Sequence, residues 1–498
     1  MAIDQGTTGS TVLILNHAGA VVSRGYSEFT QYYPKPGWVE HDAAEIWNVT
    51  HHVMEQALRD GGIDAGAIAA IGITNQRETT VLWDRETGRP AARAIVWQCR
   101  RTADMCRSLE SRGLGAKLRE KTGLLADAYF SGTKIRWLLD NDPALETAGR
   151  EGRVLFGNID TWLLWNLTGG RVHATDYTNA SRTLLLNIHD KRWDPELLEM
   201  LGVPAAMLPA VHPSSHRFGV TDPAAFFGHE VPISGIAGDQ QAALFGQGCW
   251  EPGMAKNTYG TGCFLLMNTG KSCRISQRGL LTTLCAGTGG EPLYALEGSI
   301  FIAGAAIQWL RDGLQLIEKA SQTQGLAQSI ADNAGVYFVP AFVGLGAPHW
   351  DMEARGAILG LTRGAGRAHV VRAALESIAY QTADLVGLMV EESGVPIREL
   401  RVDGGATAND FLMQFQADML GIPVDRPANA ETTALGAAYL AGLAERFWAG
   451  PEELADVRVR NRLFTPALPA DERAKLLDGW HGAVKRVLTK EQGLGVRG

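Results

Sequence analysis

Apolar runs that alternate with short loops of glycine and threonine recur along the chain from its first residues. Residues 4–8 read Asp-Gln-Gly-Thr-Thr, and an apolar run at 11–15, a turn at 16–19 and a second β-rich run at 20–23 follow them. This order predicts a β-hairpin entered through a loop of glycine and threonine. Such a loop can present backbone N–H groups and hydroxyls to an anion, so the hairpin is a candidate phosphate-binding element.

The same pattern restarts at about residue 250. Residues 253–262 form a second segment rich in glycine and threonine, and residues 263–267 form the apolar run Cys-Phe-Leu-Leu-Met after it. Apolar strand patterns that end in polar or acidic residues occur at 67–74, 154–160 and 233–240. Strand-to-helix junctions of this kind predict an α/β protein of two similar halves with a cleft between them.

Length, charge and cysteine spacing narrow the class of protein. A chain of 498 residues is too long for one core, and its composition, 45% hydrophobic and 20% charged, is that of a globular protein. The formal net charge of −8 argues against nucleic acid or an anionic membrane as the main partner. No signal-peptide pattern and no run of about 20 apolar residues occurs, so we expect a cytoplasmic protein without a membrane span. The six cysteines include no C-x-x-C pair and are expected to be reduced thiols.

Three loops combine small residues, hydroxyls and carboxylates in a way that suits a nucleotide. They are residues 4–10, 258–262 and 403–409. No G-x-x-x-x-G-K-[ST] motif occurs, so a P-loop enzyme is not expected, and no H-R-D or D-F-G set points to a protein kinase. Each loop alone is more often an ordinary turn. Together they resemble the two phosphate hairpins and the adenosine loop of actin-like ATPases.

Eight motifs, in order along the chain, carry a closer resemblance. They are Asp-Gln-Gly-Thr-Thr at 4–8, Ile-Thr-Asn-Gln-Arg-Glu-Thr at 73–79, Val-Trp-Gln-Cys-Arg-Arg at 96–101, Tyr-Phe-Ser-Gly-Thr-Lys at 129–134, Ala-Gly-Asp-Gln-Gln-Ala-Ala at 237–243, Asn-Thr-Tyr-Gly-Thr-Gly at 257–262, Gly-Leu-Gly-Ala-Pro at 344–348 and Val-Asp-Gly-Gly at 402–405. On these residues the chain resembles the FGGY family of carbohydrate kinases, and within it the glycerol kinases, from its first residues to about Trp448. The Asn-Gln-Arg-Glu and Trp-Gln-Cys-Arg-Arg blocks are the ones that point to glycerol kinases.

The resemblance implies a fold and a reaction. The expected fold is α/β, with two actin/hexokinase-like (ribonuclease H-like) ATPase domains, residues 1–248 and 249–498, around a central cleft. The expected reaction is phosphorylation of glycerol by ATP to sn-glycerol 3-phosphate, with Mg²⁺ as cofactor. Phosphorylating a primary alcohol needs a carboxylate near the attacking hydroxyl, hydrogen bonds to the other hydroxyls and apolar walls for the carbons. Members of the family are often oligomers, so a homo-oligomer is expected, with glycerol and ATP as its small-molecule partners.

The family's pattern then assigns roles to individual residues. Asp239 is the expected base beside the attacking oxygen. The other expected glycerol ligands are the hydrogen-bonding residues Arg77, Glu78, Tyr129 and Gln240 and the apolar walls Trp97 and Phe264. The residues expected around ATP are Thr7, Thr8, Gly9, Thr261, Gly304, Gln308, Gly405 and Asn409. Asp4 and Asp239 are expected to face Mg²⁺ from its two sides.

Several of these residues also fit a plainer interpretation. Asp239 follows a predicted strand, where an aspartate is most often a helix cap. Arg77 and Glu78 fit a surface pair of little energetic weight. Trp97 and Phe264 fit core positions, as most aromatic side chains do. Two other functions stay open: an FGGY kinase for a larger polyol or a ketose, and a nucleotide-binding scaffold without turnover.

The chain departs from the family's usual pattern at three places. Thr11 stands where relatives commonly carry arginine. Loss of that cation predicts weaker binding of ATP and therefore a higher KM for ATP. Only three residues precede Asp4, so the first strand is either short or begins upstream of this sequence. Residues 222–228 lack the segment of glycines and lysine by which some bacterial members bind an allosteric sugar bisphosphate, so that regulation is not expected.

Overall fold

A computed structural model describes residues 1–489, and residues 490–498 of the expected second domain lie outside the described part. The strands, in chain order, are β1 Ala2–Gln5, β2 Gly9–Leu15, β3 Val21–Glu28, β4 Glu40–His41, β5 Ile71–Asn75, β6 Val81–Asp84, β7 Ala94–Ile95, β8 Val154–Gly157, β9 Ala174–Asp176, β10 Leu186–Asn187, β11 Arg192–Trp193, β12 Ala210–His212, β13 Ser215–Val220, β14 Pro232–Gly238, β15 Ala255–Tyr259, β16 Cys263–Gly270, β17 Leu281–Ala286, β18 Pro292–Ile300, β19 Tyr337–Val339, β20 Ala357–Leu359, β21 Leu400–Asp403, β22 Val424–Pro427 and β23 Arg460–Phe464.

The α-helices of the same part of the chain are α1 Ala43–Gly61, α2 Ala103–Ser111, α3 Gly115–Thr122, α4 Ser131–Asn141, α5 Pro143–Arg150, α6 Ile159–Leu167, α7 Tyr177–Ala180, α8 Pro195–Leu201, α9 Asp239–Gly246, α10 Gly304–Asp312, α11 Gln322–Gln328, α12 Arg367–Ser393, α13 Asp410–Leu420, α14 Thr432–Ala444, α15 Pro451–Val457 and α16 Ala470–Lys485. Short 3-10 helices lie at Ala65–Ala67, Ala205–Met207 and Gly405–Ala408. The strand predicted at 67–74 is therefore shorter than expected, since β5 begins only at Ile71.

The two large sheets are built on one plan. The first has the strand order β13-β14-β5-β1-β2-β3, and the second has the order β17-β18-β16-β15-β21-β22-β23. In each sheet an antiparallel hairpin, β1–β2 or β15–β16, lies beside two strands parallel to its first arm, and an antiparallel strand follows on either side. Strand β17 is an addition to the second sheet. The prediction of an α/β fold with two similar halves is confirmed.

Helices cover both faces of the first sheet. Side chains alternate along β1, so Ile3 joins the core that contains Ile46 of α1, whereas Ala2 packs on the other face against Ala434 and Ala438 of α14. Helix α14 also packs against β5, β14 and α9. It belongs in space to the first half, although it lies late in the sequence.

Two glycines allow this close contact of α14. A Cβ on Gly72 of β5 would lie 2.1 Å from the carbonyl oxygen of Ala437, and a Cβ on Gly436 would lie 1.8 Å from that of Ala242. Both distances are far below van der Waals contact, so any side chain there would push α14 away from β5 or α9. The packing of α14 against the first half therefore depends on backbone approaching backbone.

The second sheet is also covered on both faces, and α9 covers the face towards the first half. Leu265 and Met267 of β16 join the core that contains Leu385 of α12. Leu266, between them, points the other way and packs with Leu244 of α9. Helix α9 therefore lies between α14 and the second sheet, and its N-terminus stands where the two halves meet.

A third apolar core, which includes Val96 and Phe130, joins α4, α8 and β8 beside the first sheet, and Trp97 and Tyr129 lie at its edge. All six cysteines are free, and five of them are buried. No helix within residues 1–489 is long and apolar enough to cross a membrane.

Candidate active site

Asp239 stands where strand β14 ends and helix α9 begins. Gly238 occupies the N-cap position, with φ −60° and ψ 149°, so Asp239 is the first helical residue and not the cap. Its Oδ1 accepts a hydrogen bond from the Gln240 N–H at 2.7 Å and lies 3.2 Å from Nε of Arg77. The side chain is 31% exposed, so the carboxylate is paired on one side and accessible on the other.

Arg77 lies buried at the centre of the site and donates hydrogen bonds to three side chains. Its Nη1 donates to Glu297 at 2.6 Å and to Gln241 at 3.1 Å, and its Nη2 donates to Glu297 at 3.1 Å and to the Tyr129 hydroxyl at 3.3 Å. Its Nε makes no hydrogen bond within the described chain. Arg77 is 2% exposed and Glu78 is 1% exposed, so the interpretation of the two as a surface pair is wrong.

The backbone at Glu78 is strained and is held by helix α4. Glu78 has φ 62°, in the left-handed region that side chains with a Cβ rarely adopt. Its carbonyl accepts hydrogen bonds from Oγ of Ser131 at 3.1 Å and from Nζ of Lys134 at 3.4 Å. Lys134 also donates to the carbonyls of Tyr129 and Phe130, and burial lowers its pKa to about 7. Strain of this kind clusters at functional sites, where the surroundings must maintain it.

Two arginines and two glutamates form a fully buried charge cluster. Nε of Arg182 donates to Oε1 of Glu78 at 2.6 Å, and its Nη2 donates to Oε1 of Glu297 at 3.1 Å. Burial acts to raise the pKa of Glu297, but Arg182 and Arg77 outweigh it and hold that pKa at about 2. Burial dominates at Glu78 and raises its pKa against the two arginines. Within residues 1–489, the hydrogen bonds to the Glu78 carboxylate engage only Oε1, which leaves the second oxygen for a ligand.

Three half-buried aromatic side chains border this cluster or face the same cleft. The rings of Trp97 and Tyr129 meet edge to face with their centroids 5.5 Å apart. Phe264 lies on β16 opposite Thr258, two residues from Leu266. Because side chains two residues apart on a strand share a face, Phe264 points to the side that α9 covers. None of the three aromatic residues is a fully buried core residue.

Gln240 is held by the second half of the chain. Its Oε1 accepts a hydrogen bond from Nζ of Lys256 at 2.5 Å, and Lys256 also donates to Oγ1 of Thr258 at 2.8 Å. Burial lowers the pKa of Lys256. The glutamine beside Asp239 is thus bonded to the β15 strand, which leads into the second glycine and threonine loop.

The β1–β2 loop carries Thr7 and Thr8. The Gly6 N–H donates to the Gly9 carbonyl at 2.9 Å and closes the loop, in which Thr7 is half-buried and Thr8 is exposed. Nε1 of Trp97 donates to Oγ1 of Thr7 at 2.9 Å. The first candidate phosphate loop is therefore bonded directly to an aromatic residue of the expected glycerol site.

The β15–β16 loop is bonded to the start of helix α10. The N–H groups of Ala303 and Ala305 donate to the Thr261 carbonyl at 2.9 and 3.0 Å, and the Gly304 N–H donates to the Gly260 carbonyl at 3.0 Å. A Cβ on Gly304 would lie 2.5 Å from that carbonyl oxygen. The structure thus brings Gly304 to Thr261, and Gln308 lies exposed about one turn further along α10.

The third candidate loop follows β21. Gly404 has φ 89°, which favours glycine, and Gly405 has open space around its Cα. Asn409 caps α13, because its side-chain oxygen accepts from the Leu412 N–H at 3.1 Å, and its amide group donates to Thr323 at 3.1 Å. Its expected contact with ATP stays a prediction.

Asp4 is the first candidate metal ligand. Burial raises its pKa to about 8, and the nearby carboxylates of Asp239 and Glu431 add to the effect. A cation between Asp4 and Asp239 would relieve this repulsion. Within residues 1–489, no group of three or more His, Cys, Asp or Glu side chains could hold a metal ion. Two carboxylates fit Mg²⁺, which commonly completes its coordination with substrate phosphates and water.

Comparison with known proteins identifies the family. Residues 1–246 match the N-terminal domain of the FGGY family of carbohydrate kinases, and residues 255–445 match its C-terminal domain. The chain belongs to the FGGY family of carbohydrate kinases.

Similar members of the family are named as glycerol kinases. This FGGY kinase is 60% identical over 486 residues to glycerol kinase of Symbiobacterium thermophilum, and the matched residues cover 98% of this chain and 97% of the relative. It is 58% identical over 492 residues to glycerol kinase 2 of Thermotoga maritima, with 99% of each chain covered. The solved structure of Plasmodium falciparum glycerol kinase with ADP has a TM-score of 0.94 and 37% identity over 98% of both chains. A xylulose kinase of Lactobacillus acidophilus, at 21% identity and a TM-score of 0.86 over 97% of both chains, shares the fold.

The departures noted in the sequence have definite places in this FGGY kinase. Strand β1 is paired along its whole length, with β2 on one side and β5 on the other, so it is short but well anchored. Thr11 of β2 is 9% exposed and lies in register with Asp4 and Tyr26. The effect of the missing arginine on the KM for ATP stays a prediction.

Sequence reasoning missed four residues that hold the expected ligands: Arg182, Gln241, Lys256 and Glu297. Gln241 lies inside a quoted motif, but the other three are remote from their partners along the chain. A signal for two of them is present. Lys256 and Glu297 are charged residues within strands whose other positions are mostly buried, and a buried charge requires a partner.

Proposed function

We propose that this FGGY kinase transfers the γ-phosphoryl group of ATP to a primary hydroxyl of glycerol, giving sn-glycerol 3-phosphate and ADP. The observation that carries the proposal is the convergence of Asp239, Glu78 and Tyr129 on the buried Arg77. It occurs in a chain that is 60% identical to a glycerol kinase over almost its full length.

A small triol suits the donors and acceptors that this cluster leaves available. Nε of Arg77 is a buried donor that makes no hydrogen bond in the described chain, although it lies 3.2 Å from Oδ1 of Asp239. One glycerol hydroxyl satisfies it, and Glu78, Tyr129 and Gln240 offer further partners. The rings of Trp97 and Phe264 provide apolar surface for the three carbons.

Asp239 acts as the general base. Its accessible carboxylate oxygen takes the proton of the attacking hydroxyl as the new O–P bond forms and the bond to ADP breaks. Arg77, 3.2 Å from the carboxylate, compensates its negative charge and orients it. Contact between the two halves excludes water, which would otherwise compete with glycerol for the phosphoryl group.

ATP is bound by the three loops at residues 4–10, 258–262 and 403–409. The loop with Thr7, Thr8 and Gly9 and the loop with Thr261 hold the phosphates, and Gly304, Gln308, Gly405 and Asn409 surround the rest of the nucleotide. Mg²⁺, when bound by Asp4 and Asp239, neutralises negative charge on the phosphate oxygens.

A coupled assay of ADP release tests the proposal with glycerol, erythritol and xylulose as acceptors. We expect glycerol turnover by the wild type and a loss of about a thousandfold in kcat for Asp239→Asn, since a positioned base contributes roughly 10²–10⁴-fold. Asp104→Asn, which changes an aspartate that is 86% exposed on α2, is the matched control and retains full activity.

The other outcomes select the other functions. Turnover of xylulose or erythritol alone would identify a kinase for a larger polyol or ketose. ATP binding in calorimetry without turnover of any acceptor would identify a nucleotide-binding scaffold. Full glycerol turnover by Asp239→Asn would contradict the assignment of the base.

Three wider expectations are part of the proposal. The chain forms a homo-oligomer, it works in the cytoplasm, and it divides into domains at residue 248. Size-exclusion chromatography with light scattering tests the first, and cell fractionation tests the second. Limited proteolysis tests the third, because cleavage is expected in the connection between α9 and β15.

A further inference from the structure

The second sheet carries a cation and an anion in one row across its strands. Lys256 of β15 is in register with Leu266 of β16, and Leu266 is in register with Glu297 of β18. Residues in register on neighbouring strands point to the same face of a sheet. Because Leu266 packs against Leu244 of α9, the whole row faces the first half of the molecule.

Both charges are completely buried, and each has a hydrogen-bond partner in the first half of the chain. Lys256 and Glu297 are each 0% exposed. An unpaired charge at such a position is strongly destabilising. Glu297 accepts two hydrogen bonds from Arg77, at 2.6 and 3.1 Å, and Lys256 donates to Gln240 at 2.5 Å.

Arg182 extends the influence of Glu297 to a second expected glycerol ligand. Oε1 of Glu297 accepts from Nη2 of Arg182 at 3.1 Å, and Nε of the same arginine holds Oε1 of Glu78 at 2.6 Å. One carboxylate of the second half therefore orients Arg77 directly and Glu78 through one intermediate. No side chain of the second half needs to touch glycerol for this effect.

We propose that Glu297 and Lys256 are positioning residues for glycerol, and that they make the glycerol site complete only while the two halves of the molecule are in contact. The inference rests on the proposed function. Separation of the halves leaves Glu297 without its two arginines, Lys256 without Gln240 and Arg77 without its main anion. Glycerol binding and contact between the halves therefore favour each other, as two linked equilibria must.

The principal test is Glu297→Gln, which removes the charge and keeps the shape. We expect the KM for glycerol to rise at least about tenfold, or about 1.4 kcal/mol, since hydrogen bonds to charged groups are stronger than those between neutral groups. We expect the KM for ATP to change by less than about threefold, because Glu297 holds glycerol ligands. The rise in Tm on adding glycerol should shrink in parallel.

Lys256→Met supplies an independent variant. It frees Gln240 while leaving the cluster of Glu297, Arg77 and Arg182 intact. The variant also loses the bond to Thr258, but only the bond to Gln240 concerns an expected glycerol ligand, so we expect the KM for glycerol to rise about threefold to tenfold. This variant decides the question alone if Glu297→Gln does not fold.

Asp425→Asn is the matched control. Asp425 lies on β22 of the same sheet, is 0% exposed and pairs with two arginines, Arg458 at 2.9 Å and Arg460 at 3.0 Å. Its pairing resembles that of Glu297, but it lies away from the glycerol ligands. We expect this variant to lower Tm and to leave the KM for glycerol unchanged.

The outcomes separate this inference from the proposed function. Wild-type turnover of glycerol is measured first, and its absence overturns the proposed function and this inference with it. With an active wild type, a KM for glycerol within about twofold of normal in the folded variants overturns only the positioning role. An equal rise in KM in Asp425→Asn overturns it as well, because the effect would then follow from lost stability.

Discussion

The β1–β2 and β15–β16 hairpins occupy equivalent places in the two sheets, yet they are held in different ways. The first loop is held mainly by side chains: Trp97 and Gln31 bond to Thr7, and Gln76 bonds to the Gly6 carbonyl at 3.0 Å. The second loop is held by the backbone N–H groups at the start of α10. A common arrangement of strands thus supports two different attachments.

The difference indicates a division of labour between the two halves. Trp97 touches both the first loop and Tyr129, so a change at the first hairpin reaches the expected glycerol site as well as the phosphates. The second loop is bonded to a helix on the nucleotide side, and a change there concerns ATP. Function is added to a repeated fold through such local attachments, and the fold alone does not determine it.

The largest effect is expected at the backbone attachment of the second loop. Gly304→Ala places a Cβ 2.5 Å from the Gly260 carbonyl oxygen and must displace either the loop or α10. We expect the KM for ATP to rise at least about tenfold at saturating glycerol, which is 1.4 kcal/mol or more. Gly387→Ala is the control, since an exposed glycine of α12 with open space around it should gain up to about 1 kcal/mol of stability. An unchanged KM for ATP in Gly304→Ala would contradict the assignment of this loop to ATP binding.

The next effect is expected on the free energy of unfolding at acid pH. Only the first loop, which is held by side chains, should contribute to it. Nε2 of His41 lies 2.7 Å from Oε1 of Gln31, which in turn holds Thr7, and burial lowers the pKa of His41 from 6.5 to about 4. Between pH 6.5 and 4 the unfolded chain binds a proton at His41 that the folded chain excludes. The free energy of unfolding therefore falls as the pH falls through this range, by up to about 1.4 kcal/mol per pH unit.

Urea unfolding of wild type and His41→Gln at pH 7, 6 and 5 measures this contribution. We expect the variant to lose less stability on acidification than the wild type does. His52→Gln, a change at a histidine that is 62% exposed on α1, should keep the wild-type dependence. Identical pH dependence in wild type and His41→Gln would refute the assignment.

A smaller effect is expected from the bond that joins the first loop to the glycerol site. Trp97→Phe and Thr7→Val each remove the hydrogen bond between these side chains, and each should raise the KM for ATP and for glycerol about threefold to tenfold. The KM values of the double variant should not exceed those of the more impaired single variant, which corresponds to a coupling of about 1 kcal/mol between the two residues. Trp193→Phe, which loses a bond to the Pro209 carbonyl elsewhere, is the control with unchanged KM values. Strictly additive effects would mean that the two residues act separately.

The smallest effect is expected from restoring the family's cation. Thr11 lies in register with Asp4, so Thr11→Arg adds a positive charge next to the expected metal and phosphates. We expect the KM for ATP to fall about threefold, in line with a partly screened contact of roughly 0.6 kcal/mol. Val22→Arg adds the same charge at a residue of β3 that is 47% exposed and should have no effect. An unchanged KM for ATP in Thr11→Arg would refute the interpretation of this departure.

The sequence was most informative where local chemistry determines local structure. Both hairpins were predicted from glycine and threonine loops before apolar runs, and the junction of strand and helix at Asp239 followed from its small and acidic residues. Strand β5 was predicted with its start too early, because the alanine-rich residues before Ile71 suit a strand and a 3-10 turn about equally.

The rest of the site depends on contacts that no local pattern determines. Glu78 meets Arg182 across 104 positions of the chain, and Arg77 meets Glu297 across 220. Which distant strands face each other is decided by how helix α9 is packed, and a single sequence does not reveal that. The φ of 62° at Glu78 was equally hidden, because glutamate has no preference for the left-handed region.

The first half of the chain cannot complete its packing until helix α14, near the end of the sequence, has been synthesised. The sheet face that carries Ala2 and Gly72 is covered by α14, yet residues 239–431 must be made between β14 and that helix. At ribosomal rates of about 5–20 residues per second, this takes roughly 10–40 s. During that interval the face of the nascent sheet that carries Ala2 lacks its cover by α14. The domain that is synthesised first is therefore among the last parts of the molecule to be finished.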